Sequence, residues 1–197
     1  MATSIIKTDE LRLLNDQVVM SDGALTENVT FPAGHVVQVV SENFTGTYTT
    51  TATSWQNITG FSATITPKYD TSKIHIQVML GACSTLQSTL DHGPAFDITR
   101  NGNACDLRGG EAGSNIRYAF KGSGESFNAD HNPGGRGFIG IDNPLTTDSL
   151  TYQVRVLIQN ASYPVYINCA KNSLTVDNAH VAHGRAFSNI TLMEIKQ

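Results

Sequence analysis

The sequence predicts an all-β fold: an antiparallel β-sandwich, with jelly-roll connectivity expected, behind an extended or short-helical N-terminal leader. Three observations carry that expectation. Runs rich in Val, Ile, Thr, Tyr and Phe recur along the chain at roughly ten- to fifteen-residue spacing, separated by Gly, Asn, Asp, Ser and Pro. Several of them alternate apolar and polar residues with period two, the mark of a half-buried strand. No long stretch carries the 3.6-residue period of an amphipathic helix. An up-and-down barrel or a β-prism fits the same pattern, and both stay open on sequence alone.

The leader, residues 1–34, differs in pattern from the rest of the chain. Leu11, Leu14 and Val18 lie at helical spacing behind the cap candidates Thr8 and Asp9, while Leu11, Leu13 and Val19 fit two-residue alternation nearly as well. Turn signals at Ser21-Asp22-Gly23 and Phe31-Pro32-Ala33-Gly34 bound it. It has too little apolar surface to fold alone, so it is expected to pack on its own domain, on sister subunits or on a larger assembly.

The β-domain is expected over residues 35–197. Its first strands are the β-branched run 35–40 and the polar run 48–51. Strand 58–66 sets Phe61, Ala63 and Ile65 on one face, and strand 73–80 sets Ile74, Ile76, Val78 and Leu80 against Lys73, His75, Gln77 and Met79 on the other. Run 95–100 ends in Asn101-Gly102, a hairpin signal returning the chain through Cys105 to Leu107. Runs 116–120, 137–141, 150–158, 165–169 and 190–195 complete the set. Ile74, Ile76, Val78, Leu192 and Ile195 are expected in the core.

Composition bounds the function. The 197 residues are 40% hydrophobic but only 15% charged, with a net charge of -4. That is too apolar for a disordered chain, and too nearly neutral to point to nucleic acid or an anionic membrane as partner. Recognition by shape and neutral hydrogen bonds is what remains. No segment has the apolar run of a signal peptide or of a membrane span, so synthesis in a cytosol without membrane insertion is expected. Cys83, Cys105 and Cys169 are odd in number and widely separated, which fits reduced, buried thiols better than a disulfide or zinc framework.

No motif dictates chemistry. Gly122-Ser123-Gly124 lacks the following helix of a phosphate loop, and no serine sits in a nucleophile elbow. His180 and His183 are spaced as a metal pair could be, without a third ligand or a glutamate base, so no metal or cofactor is expected. The Gly-, Ser- and Asn-rich stretch 109–137 is long for a loop without a task. Within it and at its end, Tyr118, Asn128, Asp130, His131, Asn132 and Arg136 combine a ring with amide, carboxylate, imidazole and guanidinium groups, a set suited to sugar hydroxyls. Trp55 is expected as a core or interface anchor.

Several segments together resemble a domain of fibre-like virion proteins of tailed bacteriophages. They are Phe31 to Val40 (FPAGHVVQVV), the Thr-rich Tyr48 to Thr53, Thr59 to Pro67 (TGFSATITP), Ser72 to Val78 (SKIHIQV), Asn143 to Thr147 (NPLTT), Leu150 to Val154 (LTYQV) and Ser188 to Ile195 (SNITLMEI). Ile5 to Asp9 and Gly23 to Thr26 look like the attachment segment that precedes such domains.

The resemblance implies a structural, non-enzymatic homotrimer made in the host cytoplasm and carried in the virion. The leader would dock on other virion proteins, and loops of the β-domain would meet host-surface glycan. A capsid decoration protein that cements the head is the alternative. A polysaccharide depolymerase, which would need paired carboxylates from among Glu111, Glu125, Asp130 and Asp142, is a third.

Overall fold

The computed structural model describes residues 10–12, 18–21, 24–25, 32–85, 93–105, 107–110, 113–121, 134–170 and 185–197. In the leader these are strands β1 (Glu10–Arg12), β2 (Val18–Ser21) and β3 (Ala24–Leu25), paired antiparallel in the order β1-β2-β3. The described part of the leader is therefore extended rather than helical.

The β-domain is two antiparallel sheets packed face to face. Strands β4 (Val36–Phe44), β5 (Tyr48–Thr50), β7 (Lys73–Thr85), β11 (Gly134–Asp142), β13 (Val165–Ile167) and β14 (Ser188–Ile195) form one of them. The other holds β6 (Gln56–Ile65), β8 (Ala95–Arg100), β9 (Asn103–Ala104), β10 (Phe120–Lys121) and β12 (Leu150–Leu157), in the order β10-β8-β12-β6 with β9 on β8. The antiparallel sandwich that the period-two alternation predicts is the architecture found.

Strand β7 organises the first sheet. Along one edge it pairs with β11, from Ile74 opposite Asp142 to Cys83 opposite Gly134. The other edge is shared: β14 covers Lys73 to Met79 and β13 covers Cys83 to Thr85. Beyond them β4 pairs with β14 and β5 with β13.

The handover between β14 and β13 exposes backbone groups of Gly81 and Ala82 that need partners. Gly81 N donates to Ser188 Oγ at 3.2 Å, and Asn168 N donates to the Ala82 carbonyl at 2.9 Å. A Cβ on Gly81 would overlap the Phe187 carbonyl, so only glycine lets the incoming chain pass this close. The sequence expectation ended this strand at Leu80, since a glycine in a strand usually marks a break. Here Gly81 is a crossing point, and β7 runs on to Thr85.

The core lies between the sheets. Ile74, Ile76 and Val78 of β7 and Ile190 and Leu192 of β14 face Phe61, Ile65, Phe96, Ile98, Val154 and Val156, all buried. Phe44 stacks on Phe61 at 5.4 Å between ring centroids, and Phe120 lies between Phe96 at 4.8 Å and Phe138 at 5.7 Å. Three of those rings belong to one sheet and two to the other, so the aromatic contacts bridge the layers.

Three expectations need correction. Ile195 is half-buried, because the inward positions of β14 are Ser188, Ile190, Leu192 and Glu194. Glu194 is fully buried and its carboxylate is satisfied: Oε1 accepts from Lys68 N at 2.9 Å and Tyr69 N at 3.1 Å, Oε2 from Gln38 Nε2 at 2.7 Å. It closes the turn that joins the two sheets. Strand 116–120 shrinks to Phe120–Lys121, because 113–119 serves as a loop over the second sheet. The return after Asn101-Gly102, with φ of 49° and 81°, begins earlier than expected, at Asn103–Ala104, and reaches Cys105, whose N donates to the Ile98 carbonyl at 3.3 Å.

Between the layers, Asp142 of β11 ties one sheet to the other. Its Oδ2 accepts from Arg100 Nη1 and from the Tyr152 hydroxyl, each at 2.6 Å. Asp142, one of the four carboxylates a depolymerase reading would recruit, is thus occupied as an inter-sheet brace. Cys83, Cys105 and Cys169 are buried thiols not joined in a disulfide, as their spacing suggests.

Candidate functional site: a cleft on the second sheet

The strand register builds a floor on the outward face of the second sheet. Lys121 lies opposite Ala95, and Ala95 opposite Leu157. Because Phe120 and Phe96 turn inward to the core, their neighbours Lys121 and Ala95 must turn outward. Residues 109–110 and 113–118 arch over this floor. The arch is closed at its base by Gly109 N donating to the Tyr118 carbonyl at 3.2 Å and by Arg117 Nε donating to the Gly109 carbonyl at 2.6 Å. Ala119 N then donates to the Phe96 carbonyl at 2.9 Å and stitches the arch to β8.

A cleft of about 680 Å³ lies between arch and floor, the size range of small-molecule sites. Its hydrogen-bonding wall is Ser114, Asn115, Arg117, Lys121 and Gln159; Ile116 and Tyr118 give it apolar surface. Ile116 and Tyr118 are 54% and 37% exposed, so both present apolar faces to an incoming group. Among the described lining residues two are cationic and none is acidic. Hydroxyl-rich or anionic groups fit such a lining, through amide and cation hydrogen bonds with a ring alongside.

One step along the same face, Asp97 lies opposite Arg155. Asp97 is fully buried, and its Oδ2 accepts from Arg155 Nε at 2.8 Å and from Arg108 Nε at 3.0 Å. Its Oδ1 has no hydrogen-bond partner. The Asp97 hydrogen bond outweighs partial burial and raises Arg108 above the ordinary guanidinium value. Arg155 in turn lies over the Trp55 ring at 4.9 Å, so Trp55 is half-buried beside this charged pair rather than in the core between the sheets. Since Arg108 immediately precedes Gly109, this charged knot fixes one foot of the arch.

Of the six residues that sequence reasoning selects, Tyr118 lines the cleft. Arg136 sits on β11 opposite Leu80, in the other sheet, half-buried and donating through Nη1 to the Gly135 carbonyl at 2.8 Å. The structure therefore does not bring Tyr118 and Arg136 to one place. Asn128, Asp130, His131 and Asn132 lie outside the described residues, as do Glu111, Glu125, His180 and His183. Among the described residues, no three His, Cys, Asp or Glu side chains cluster as a metal site would require.

Sequence reasoning missed Ser114, Asn115, Lys121 and Gln159. The glycines at 109, 110 and 113 were the available signal of a loop, but nothing local places Lys121 and Gln159 beside it. No family model matches this chain, and no curated protein does. Among the described residues, no helix is long and apolar enough to cross a membrane.

Proposed function

We propose that this protein is a structural, non-enzymatic subunit of a tailed-phage virion, a homotrimeric fibre or spike component whose β-domain contacts host-surface glycan. In this reading the leader docks on other virion proteins. The observation that carries it is the cleft beneath the arch of 109–110 and 113–118, where a ring, amides, a hydroxyl and two cations line one end of a sheet. A loop held over a sheet by backbone hydrogen bonds is a common way to display recognition groups without disturbing a core.

Connectivity supports the same reading. The principal strands lie in the orders β4-β14-β7-β11 and β6-β12-β8-β10, and the chain crosses repeatedly between the two sheets. Such orders support the jelly-roll reading, an architecture of viral capsid and lectin domains. The sequence resemblance points the same way.

Adsorption to host cells and binding to an array of host-surface polysaccharides test the proposal. The intact protein is expected to bind, and Tyr118→Ala to lose most of that binding while remaining folded. Equal binding by protein and variant would remove the cleft from the assignment. Counting copies per particle separates the alternatives: tens fit a fibre or spike, whereas hundreds, near-stoichiometric with the shell, would make it a head decoration protein.

A further inference from the structure

The outward face of the first sheet is a grid of registered rows across four strands. Val39 lies opposite Met193, Met193 opposite His75, and His75 opposite Ile141. The second row is Ser41, Thr191, Gln77 and Ile139; the third is Asn43, Asn189, Met79 and Gly137. None of these positions carries Lys, Arg, Asp or Glu. Val39, Met79, Ile139 and Ile141 are 56%, 47%, 64% and 57% exposed. The outward face of the second sheet, by contrast, carries Asp97, Arg155 and Lys121.

The polar members of the grid on β4 and β14 satisfy one another. Ser41 Oγ and Thr191 Oγ1 are 2.9 Å apart, and Thr191 Oγ1 donates to Asn189 Oδ1 at 2.8 Å. Asn189 Nδ2 donates to Ser41 Oγ and to Asn43 Oδ1, both at 2.9 Å. A polar ladder already paired within its own face loses little when water is removed from it, whereas unpaired amides would resist covering. The face is thus apolar along β11 and at Met79, carries the uncharged His75 and Gln77 positions at its centre, and is internally satisfied on its β4 and β14 side.

We infer that this face is where copies of the chain pack on one another. The inference rests on the self-assembling subunit proposed above, and it is independent of any host contact. The occupant must itself be uncharged, because a charged side chain pressed onto these rows would find no counter-charge. Copies of this chain arranged about the threefold axis of the proposed trimer meet that requirement, each turning the same uncharged rows toward the axis and supplying isoleucines for isoleucines.

The area also fits. With strands about 4.8 Å apart and rows about 6.8 Å apart, the grid covers about 400 Å², roughly half of the ~800 Å² each partner gives to a standard interface. It can therefore form the dry centre of such an interface, with polar rim residues supplying the rest.

Light scattering and mass photometry on the full chain at micromolar concentration test the inference, with Ile139→Asp/Ile141→Asp as the probe and Thr64→Asp, exposed on the other sheet, as control. The unaltered protein and the control are expected to be oligomeric. The double variant is expected to be monomeric, its association weakened at least about 100-fold, with an unchanged far-UV spectrum. Should the double variant lose cooperative unfolding, the single change Ile139→Asn decides by the same readout.

An oligomer that survives these substitutions overturns the assignment of the face and leaves the self-assembly proposal standing. A monomeric unaltered protein overturns both. If hydrogen exchange then shows the outward face of β7 and β11 protected in that monomer, the occupant is the chain's own first 31 residues rather than a second copy.

Discussion

The Ser188 hydroxyl donates to Asn168 Oδ1 at 2.6 Å while accepting from Gly81 N, and this contact seals the point where β14 leaves the edge of β7 and β13 takes it over. Asn168 is fully buried with φ of 61°, a left-handed conformation that asparagine tolerates better than most residues. Its Nδ2 donates to the Phe44 carbonyl at 2.7 Å and the Gly46 carbonyl at 2.9 Å, and its own carbonyl accepts from Ala186 N at 3.1 Å. Through its side chain and its backbone, this one residue thus joins the ends of β4, β7 and β14 just after β13.

Asn168→Ala would strip partners from one buried carbonyl, one part-buried carbonyl and one buried hydroxyl at once. A loss on the order of 3 kcal/mol is expected in urea unfolding. A change below about 0.5 kcal/mol would show that water replaces the amide without penalty and that the junction is not held as described.

Gly81→Ala tests the same junction from the other side. The added methyl collides with backbone rather than with a yielding side chain, so at least about 2 kcal/mol of destabilisation is expected. Gly109→Ala, where a Cβ meets nothing nearby, serves as control and should stay within about 0.5 kcal/mol. Equal effects at the two sites would refute the close approach.

Asp97→Asn leaves two guanidiniums, Arg108 and Arg155, 20% and 16% exposed, around a neutral amide. About 3 kcal/mol of lost stability is expected from uncompensated charge. The arch should loosen with it, read as faster amide exchange at 109–118, since Arg108 no longer holds its foot. Unaltered exchange there would disconnect the ion pair from the cleft.

Alkali should destabilise the fold through its buried thiols. Burial pushes Cys83 from its ordinary 9.0 up to about 12, partly offset by nearby Arg136, and burial does the same to Cys105. Below pH 9 both folded and unfolded chains keep these protons, so the contribution is fully present. Between about pH 9 and 12 the unfolded chain releases protons that the folded chain retains, and stability falls by up to about 1.4 kcal/mol per pH unit for Cys83. Cys83→Ala should flatten that slope; an unchanged slope would place the alkaline sensitivity elsewhere.

Lys121→Ala and Tyr118→Ala should separate binding from folding. Both residues are exposed at the cleft, so stability should move by no more than about 0.5 kcal/mol while polysaccharide binding drops about tenfold, worth about 1.4 kcal/mol. Loss of binding that tracks loss of stability would speak for a packing role instead.

Local pattern was enough to reveal the fold class and most strand cores. The alternation of Ile74, Ile76 and Val78 with His75, Gln77 and Met79 is a property of the chain itself, because successive side chains of a strand point to opposite faces. Ala95–Arg100 and its Asn101-Gly102 turn were legible for the same reason, the turn chemistry being local. Tyr118 was legible as a ring within a glycine-rich stretch.

The sites depend on pairings between distant residues, which no short window contains. Lys121 reaches the cleft because its strand pairs with β8, and Gln159 because β12 ends on the other side of that strand. Arg136 goes to the opposite sheet although it is near the loop in sequence. The inward turn of Glu194 follows from strand parity, but its tolerance there depends on Lys68, Tyr69 and Gln38 arriving from other elements.

By itself, then, the sequence determined that this protein is a lightly charged all-β chain with two-faced strands and buried thiols. Tertiary structure alone decided which of the outward faces became a charged knot beside a cleft and which became an uncharged grid. The physical reason is that side-chain periodicity is local, whereas the neighbours that pair, cover or neutralise a side chain are set by strand order and register.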